Sequence, residues 1–444
     1  MGYRHYPDFQ IMKIENVELP ARFERATLLG FQGSKNPMSI APHHRSVPPP
    51  CTADAAATRL GSPIVLLMAL ATGLTVASNY YAQPLLHTIG AQFGLSTAAA
   101  ASITTVAQLS YALGLILLVP LGDMLERRSL IVAMTMLSAC GLLMTALAPS
   151  FAFILLGTAI AGALSVVAQV LIPLASTLAA PAERGKIVGT IMSGLLLGIL
   201  LARTAAGALA DLGNWRTVYW VAATLMLATC GALCRALPRS QSPTRLAYPR
   251  LLVSVFRLYA DEPLFRARSL LGACLFASFG MLWTPLTFLL ASPPYSYSNG
   301  KIGLFGLAGA AGAYAAKRFG RMADLGFGNR STRIGLLLLF VSWLPIALGQ
   351  VSVLALVAGI VLLDLAIQGV HVTNLSAIYR LAPDARSRLT AGTMAANFIG
   401  AAAGSLTSSW LYAHTGWSGV CAAGALLGAA ALVYASVAPH ARIP

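Results

Sequence analysis

Runs of about twenty apolar residues fill the sequence from residue 63 onward, and they restrict the possible folds more than any other feature. A helix needs about 20 apolar residues to cross a bilayer. The chain is 57% hydrophobic and only 10% charged, whereas soluble domains carry about 25% charged residues. We therefore predict an all-α polytopic membrane protein with twelve transmembrane helices. The predicted spans are 63–90, 98–120, 130–148, 151–179, 187–209, 216–237, 269–291, 301–320, 333–350, 352–378, 389–411 and 417–437.

The second half of the chain repeats the first at an offset of 202 residues. The matched pairs are Pro181 and Pro383, Arg184 and Arg386, Lys186 and Arg388, Gly198 and Gly400, and Trp215 and Trp417. In membrane transporters, parallel repeats form two halves that rock about a central site. The repeat predicts two six-helix bundles, at 61–237 and 269–438.

The remaining segments are polar. Residues 1–60 hold no sustained apolar run, so they do not resemble a secretory signal. We expect a disordered cytoplasmic tail there, or a segment upstream of the true start. Residues 238–268 are rich in proline and arginine, which predicts a cytoplasmic linker with a short surface helix. Residues 439–444 form a predicted C-terminal tail.

The net charge of +16 is concentrated in every second connection between the spans. Loops rich in Lys and Arg stay in the cytoplasm, which predicts a multi-pass protein of a bacterial inner (plasma) membrane with both termini cytoplasmic. Because the bases are dispersed at helix ends, they favour lipid headgroups as partners over nucleic acid. The six cysteines lie mostly within apolar spans and indicate packing residues, so we expect no metal and no cofactor.

Two similar motifs end the second and the eighth spans, and each has a glycine followed four residues later by an acid. Glycine permits a tight turn, and the acid can pair with a base or with a helix N-terminus. Either a latch between helices or a solvated loop fits this spacing. The candidate latch residues are Gly122, Asp123, Glu126, Arg127, Arg128, Gly320 and Asp324.

These motifs, the twelve spans and the six-plus-six repeat resemble the major facilitator superfamily. The first motif has Ser129, and the second has Leu325, where that family has Gly and a base. The segment 78–86, with the sequence SNYYAQPLL, resembles a bacterial exporter-like branch. The resemblance implies a monomeric transporter of a small molecule whose first, fourth, seventh and tenth helices line a cavity.

Polar residues within the tenth span are candidates for that cavity. Asp364, Gln368, His371 and Asn374 follow at steps of four, three and three residues, so they share one face of a helix. A charge at mid-membrane costs about 2.5–3.5 kcal/mol on insertion scales, which makes Asp364 a candidate proton carrier. The alternative is a hydrogen-bonded structural network.

Further candidates lie in four other spans. The first, fourth and seventh spans contribute Asn79, Tyr80, Gln83, Gln169, Trp283 and Thr284. Arg203 is a second intramembrane charge, in a glycine-spaced stretch that is similar to the fifth-helix motif of the family's antiporters. It can pair with a carboxylate or with backbone carbonyls where the halves meet, or it can snorkel outward.

The leading hypothesis is a secondary transporter that couples proton entry to substrate exit, in other words an antiporter that performs efflux by rocker-switch alternating access. No Gly-x-x-x-x-Gly-Lys-Ser/Thr stretch occurs in the sequence, which argues against nucleotide-driven transport. The alternatives are a transport-inactive or sensor-like descendant and a membrane-embedded enzyme. Because the seven histidines are scattered, we do not predict an enzyme.

Overall fold

The computed structural model describes residues 61–239, 248–381 and 386–438, and these residues form α-helices and short 3₁₀ segments without a strand. The first half comprises α1 Ser62–Ala77, α2 Leu86–Phe93, α3 Thr97–Leu117, α4 Arg127–Ala146, α5 Phe151–Leu164, α6 Ala168–Leu178, α7 Arg184–Leu212 and α8 Trp215–Ala236. The second half comprises α10 Pro263–Ala291, α11 Asn299–Leu304, α12 Ala310–Asp324, α13 Gly328–Ala347, α14 Val353–Tyr379 and α15 Arg386–Val437. Between them lies α9 Tyr248–Asp261. The predicted tails at 1–60 and 439–444 lie outside the described residues.

The prediction of an all-α polytopic fold is confirmed. Nine helices of the described residues are long and apolar enough to cross a membrane. The last of them is continuous in hydrogen bonding but breaks at Gly416, whose φ of 68° is non-helical, so α15 holds the eleventh and twelfth spans. The division of the chain at 238–268 stays a prediction, and α10 begins at Pro263 within that segment.

Two of the predicted spans are interrupted. The first divides into α1 and α2, with a turn and a 3₁₀ segment over Gln83–Leu85 between them. Pro84 lacks the N–H that an α-helix needs there. The eighth divides at a 3₁₀ segment over Phe305–Gly309, where repeated glycines lower helix propensity. Both interruptions lie within predicted membrane spans, where irregular backbone is tolerated only when it is buried in protein or lines a cavity.

The sequence repeat corresponds to a repeated helix crossing. A Cβ atom on Gly198 of α7 would lie 2.3 Å from the backbone oxygen of Gly73, and one on Gly400 of α15 would lie 2.1 Å from that of Ala273. Small residues allow such close approach, which supplies van der Waals contact where lipid offers little hydrophobic force. The paired glycines therefore mark the same backbone-to-backbone contact in each half.

The paired tryptophans also have matching positions. Trp215 begins α8 and Trp417 follows the break in α15, and each is 1% exposed. The Trp417 indole donates to the Ile346 oxygen at 2.9 Å, and the Trp215 indole donates to the Gln92 side chain. Because each indole N–H has an acceptor, the large ring is buried without the free-energy cost of an unpaired donor.

The helices alternate in direction, so the connections fall at two ends of the molecule. The basic end holds 119–126, 179–183 and 325–327, and the far end holds 94–96, 213–214 and 292–298.

At the far end the two halves are hydrogen-bonded to each other. The Thr88 hydroxyl donates to Asn299 Oδ1 at 2.9 Å, and the Gly300 N–H donates to Asp211 Oδ2 at 2.9 Å.

At the basic end, α9 contacts both halves. The Tyr248 hydroxyl donates to the Leu117 oxygen at 2.7 Å, and the Tyr259 hydroxyl donates to the Gly392 oxygen at 2.8 Å. Burial raises the pKa of the Tyr259 hydroxyl, so the group keeps its proton and stays a donor. The helix therefore connects the end of α3 to the start of α15.

We expect Gly198→Val and Gly400→Val each to destabilise the protein, because a side chain at either position meets backbone atoms that cannot rotate away. Overpacking of this kind costs about 1–3 kcal/mol. Thermal unfolding of purified protein in detergent should show a clearly lowered midpoint for both variants.

Gly189→Val in α7 is the matched control, since a Cβ there meets nothing within 4 Å and adds only a helix-propensity cost below about 1 kcal/mol. Equal midpoints for Gly198→Val and Gly189→Val would show that the α1–α7 crossing does not limit stability.

Candidate functional site

A buried arginine lies between the two halves. Arg203 of α7 is 4% exposed, and its Cζ atom lies 4.0 Å from the ring centroid of Trp283, 4.9 Å from Tyr80 and 5.2 Å from Phe279. Its Nε donates to Gln83 Oε1. Cations bind favourably over aromatic faces, the more so when desolvated. These five residues, here called the arginine site, come from both halves, and Arg203 points inward rather than snorkelling.

A buried carboxyl group lies beside the arginine site. Asp364 of α14 is 6% exposed, interacts electrostatically with Arg203 and lies next to the Trp283 indole. The two charges are not within 4 Å, and within the described ranges the one ion pair at that distance joins Arg127 to Asp123. Removing two ions from water costs several kcal/mol each. Burying one charged group on each half therefore costs folding free energy.

Glycines of the interrupted eighth span pack against both charged residues. A Cβ atom on Gly306 would lie 3.0 Å from Arg203 Cβ, and one on Gly309 would lie 3.2 Å from Asp364 Oδ2. The absence of side chains here lets the 3₁₀ segment contact α7 and α14 together.

Hydroxyl groups extend the contact between the halves. Ser405 Oγ accepts from Thr284 at 2.9 Å and from Thr105 at 3.2 Å, and the Thr287 hydroxyl donates to the Gln83 oxygen at 2.8 Å. Asn79 instead bonds within its own half, donating to Ser165 Oγ at 3.0 Å.

Three predicted residues lie closer to the basic end. Gln368 and His371 follow Asp364 along α14 by about 6 and 10 Å, at 1.5 Å per residue, and both are partly exposed. His371 Nδ1 lies 3.5 Å from Asn397 Nδ2. Gln169 of α6 is also partly exposed and lies beside the Tyr111 hydroxyl. The polar candidates thus extend from the buried charges towards the basic end.

Asn374 does not join this group. Its Oδ1 accepts from Arg268 Nη1 at 3.2 Å, and its Nδ2 donates to the Arg268 oxygen at 3.3 Å. Arg268 is fully buried and also donates to Thr332 at 2.9 Å and to Asn329 at 3.2 Å. For Asn374 the structure shows the structural hydrogen-bond network that the sequence left as the alternative.

The first latch motif forms a compact turn within the first half. Arg127 Nε donates to the Gly122 oxygen at 3.1 Å, its Nη1 donates to Thr177 of α6 at 3.4 Å, and its Nη2 lies 3.7 Å from Asp123 Oδ1. The motif therefore joins the end of α3 to α4 and α6.

Glu126 caps α4 by accepting from the Ser129 N–H at 2.9 Å and from its hydroxyl. This gives a role to Ser129, the position at which the sequence departs from the motif it resembles. Arg128 donates to the Cys234 oxygen of α8.

The second motif is more open. Asp324 is exposed at the end of α12, and Gly320 faces Val372. Arg380 of α14 donates to the neighbouring Ala323 oxygen at 3.4 Å. The two copies therefore differ in how they contact their neighbours.

Several residues in the arginine site and nearer the basic end were missed by the sequence reasoning. Phe279 and Asn397 lie on helix faces that no polar pattern marks. Ser405 had a signal, since it occupies the position 202 residues after Arg203, and both lie where the halves meet. Arg268 falls at the end of the basic segment 238–268, where the sequence does not distinguish it from the other arginines. Across 61–239, 248–381 and 386–438, no three His, Cys, Asp or Glu side chains are placed to hold a metal ion.

Known proteins with similar sequences are described as transporters, in agreement with the helical membrane fold. The chain is 59% identical over 368 residues to the putative uncharacterized transporter YgaY of Escherichia coli, a match that covers 83% of this chain and 93% of the relative. It is 31% identical over 374 residues to the probable transporter SCO4007 of Streptomyces coelicolor, covering 84% and 86%.

Solved structures with a similar fold include a bacterial homolog of the human lysosomal transporter Spinster, in an inward-facing and unoccupied conformation. Its TM-score is 0.65 at 19% identity, over 85% of this chain and 95% of that one. The nucleoside transporter NupG gives a TM-score of 0.68 at 14% identity, over 84% and 98%.

Residues 68–332 match the Major Facilitator Superfamily. Together with the transporter relatives, this match confirms the resemblance carried by the loop motifs and the repeat: the chain is a multi-pass membrane protein that belongs to the Major Facilitator Superfamily.

Proposed function

We propose that this chain is a secondary active transporter that exports a small organic solute across the bacterial inner membrane, with Asp364 carrying a coupled proton. The observation that carries the proposal is the pair of opposite buried charges, Arg203 and Asp364, held on different halves at one depth. Buried ionisable groups of this kind mark ion and substrate pathways in membrane proteins.

Proton transfer at Asp364 changes what holds the halves together. An ionised carboxylate attracts Arg203 across the interface, whereas a protonated one leaves the guanidinium without a counter-ion. Because Coulomb interactions are strong in a low-dielectric interior, this single proton alters the balance between conformations. Such a difference between two states is what a coupled transporter requires.

The contacts at the far end supply the alternating gate. Thr88 with Asn299, and Asp211 with Gly300, join the halves there, and each pair must part if the site is to open at that end. The repeated crossings at Gly198 and Gly400 keep each half rigid. The chain thus has the elements of rocker-switch transport by two bodies about a central site.

Orientation and direction follow from the basic residues and the first span. We assign the basic end to the cytoplasm and both termini with it, and the exporter-like segment 78–86 supports export. Membrane potential contributes about 2.3 kcal/mol per charge per 100 mV, which is sufficient to concentrate a solute about fifty-fold. We expect a monomer, as the family resemblance implies.

Asp364→Asn should abolish proton-driven transport, because an amide cannot exchange a proton. In proteoliposomes with an imposed pH gradient, uphill movement of a transported solute should fall at least tenfold, while exchange of labelled for unlabelled solute across the membrane continues. A panel of organic acids, amines and sugars, followed with a trapped pH-sensitive dye, identifies the solute to use.

Asp261→Asn, an exposed acid at the end of α9, is the matched control and should transport as the parent does. Undiminished uphill transport by Asp364→Asn would refute the proton-carrier role. If the parent moves no solute under any gradient, the transport-inactive descendant becomes the better description.

Cross-linking the far end should arrest transport by holding the halves together there. In a variant with Thr88→Cys and Asn299→Cys, whose parent side chains lie 2.9 Å apart, a short bifunctional thiol reagent should block solute movement, and reductive cleavage of the linker should restore it.

Each single cysteine variant, treated with the same reagent, controls for modification alone. Full transport by a chain whose cross-link is verified on a gel would contradict alternating access through the far end.

A further inference from the structure

The arginine site contains hydrogen-bond donors that lack acceptors. Three buried donors have no partner at hydrogen-bonding geometry among the described residues: Arg203 Nη2, Gln83 Nε2 and Trp283 Nε1. The Trp283 indole also interacts with the Asp364 carboxyl group beside it, outside that geometry. Each residue is less than 5% exposed. All three also line one void of about 10 Å³, which is about the space of one water molecule. Buried donors are almost always paired in native proteins, so three together at one void require an explanation.

The polarity of this cluster is determined by its own contacts. Arg203 Nε donates to Gln83 Oε1, so the amide of Gln83 must present its NH₂ group to the void. Guanidinium and indole groups are donors without acceptor capacity. The void therefore presents N–H groups and a positive charge, and the complementary group is an anionic oxygen. Carboxylates form short, charge-assisted bonds with arginine.

Aromatic rings extend from this cluster towards the basic end. Consecutive ring centroids are 6.0 Å apart from Trp283 to Phe279, 6.4 Å from Phe279 to Phe276, 5.7 Å from Phe276 to Phe398 and 4.3 Å from Phe398 to Tyr111. Tyr111 belongs to the first half and the others to the second. A flat apolar ligand can stack on such a row.

We propose that the transported solute is an aromatic carboxylate, whose carboxyl group binds Arg203, Gln83 and Trp283 and whose ring stacks along the aromatic row. This inference rests on the proposed transport function and adds the class of substrate. In the conformation described here the void is too small for a carboxyl group. Binding therefore requires Arg203 to withdraw from Trp283 and Phe279, which lie on the other half.

Charge balance connects this substrate to the proton. With Asp364 ionised, Arg203 already has a counter-ion across the interface. With Asp364 protonated, a substrate carboxylate takes that place and the loaded site is neutral. Substrate and proton thus favour each other's binding and move in the same direction. This loaded cycle moves no net charge, so the membrane potential does not drive it and export runs down the gradient of an accumulated acid. The roughly fifty-fold concentration that this potential can support applies only to the proton exchange expected from the sequence.

An organic cation fits this cluster less well. It would approach Asp364 beside the positive charge of Arg203, and the faces of Tyr80, Phe279 and Trp283 are already occupied by the guanidinium. The unpartnered donors would remain unpartnered. Cation binding is therefore an outcome that the experiment must be able to detect.

The test is equilibrium dialysis of the purified full chain in detergent with three probes that share one ring: naphthoate, naphthamide and naphthylmethylammonium. Naphthoate should bind at least tenfold more tightly than the other two. Gln83→Glu should weaken naphthoate binding at least tenfold, because the new carboxylate pairs with Arg203 and repels the ligand. Trp283→Phe, which keeps a ring but removes Nε1–H, should also weaken it.

Gln92→Glu is the matched control. Gln92 accepts from Arg216 at 3.1 Å and from the Trp215 indole at the far end. Gln92→Glu therefore makes the same glutamine-to-glutamate change beside an arginine and a tryptophan, but leaves the arginine site intact. Naphthoate binding should stay within twofold of the parent. Thermal unfolding midpoints near that of the parent show that the variants are folded.

The proposal is overturned if naphthoate fails to bind the parent, if it binds Gln83→Glu as it binds the parent, or if naphthylmethylammonium binds more tightly. Asp364→Asn separates this inference from the proposed function. An amide cannot take a negative charge, so naphthoate binding should persist in that variant while proton-driven transport is lost. Binding of naphthoate without transport by the parent would refute the transport function and leave the carboxylate site standing.

Discussion

Burial of the Arg203 guanidinium between the two halves is the interaction on which the central part of the molecule depends. The charge is compensated by a side-chain oxygen, three aromatic faces and a carboxyl group at longer range. Because these groups come from both halves, moving the halves apart exposes the arginine to a different set of neighbours. The cost of desolvating this one ion therefore depends on how the interface between the halves is packed.

The two halves are similar in helix packing but differ in the polar and charged residues that they carry. Gly198 and Gly400 form equivalent backbone contacts, and Trp215 and Trp417 are equally buried at equivalent helix starts. Position 203 carries an arginine, whereas its counterpart Ser405 is a hydrogen-bond acceptor for two threonines. The halves are therefore alike in packing, while the charges and the polar contacts between them differ.

Apolar run length and repeat spacing were sufficient to predict the helices, because crossing a bilayer imposes a minimum length that the sequence records directly. They did not predict the interruptions at Gln83–Leu85 and Phe305–Gly309, where buried contacts compensate the broken helix. Nor did charge patterns single out Arg268, since an arginine in a basic segment looks the same whether it meets water or a buried amide. Which donors remain unpaired depends on side-chain directions that only tertiary packing decides.

Helix α9 has a mechanical consequence for opening at the basic end. Its two tyrosine bonds to Leu117 and Gly392 are separated by eleven residues, or about 16 Å of helix. A helix resists stretching far more than a flexible linker does, so it acts as a rigid spacer of fixed length between α3 and α15. Wider separation of the halves at this end must first break one of the two hydrogen bonds donated by Tyr248 and Tyr259. The spacer therefore limits the aperture at the basic end, and hence, under the proposed export, the size of solute that can enter the site from that end.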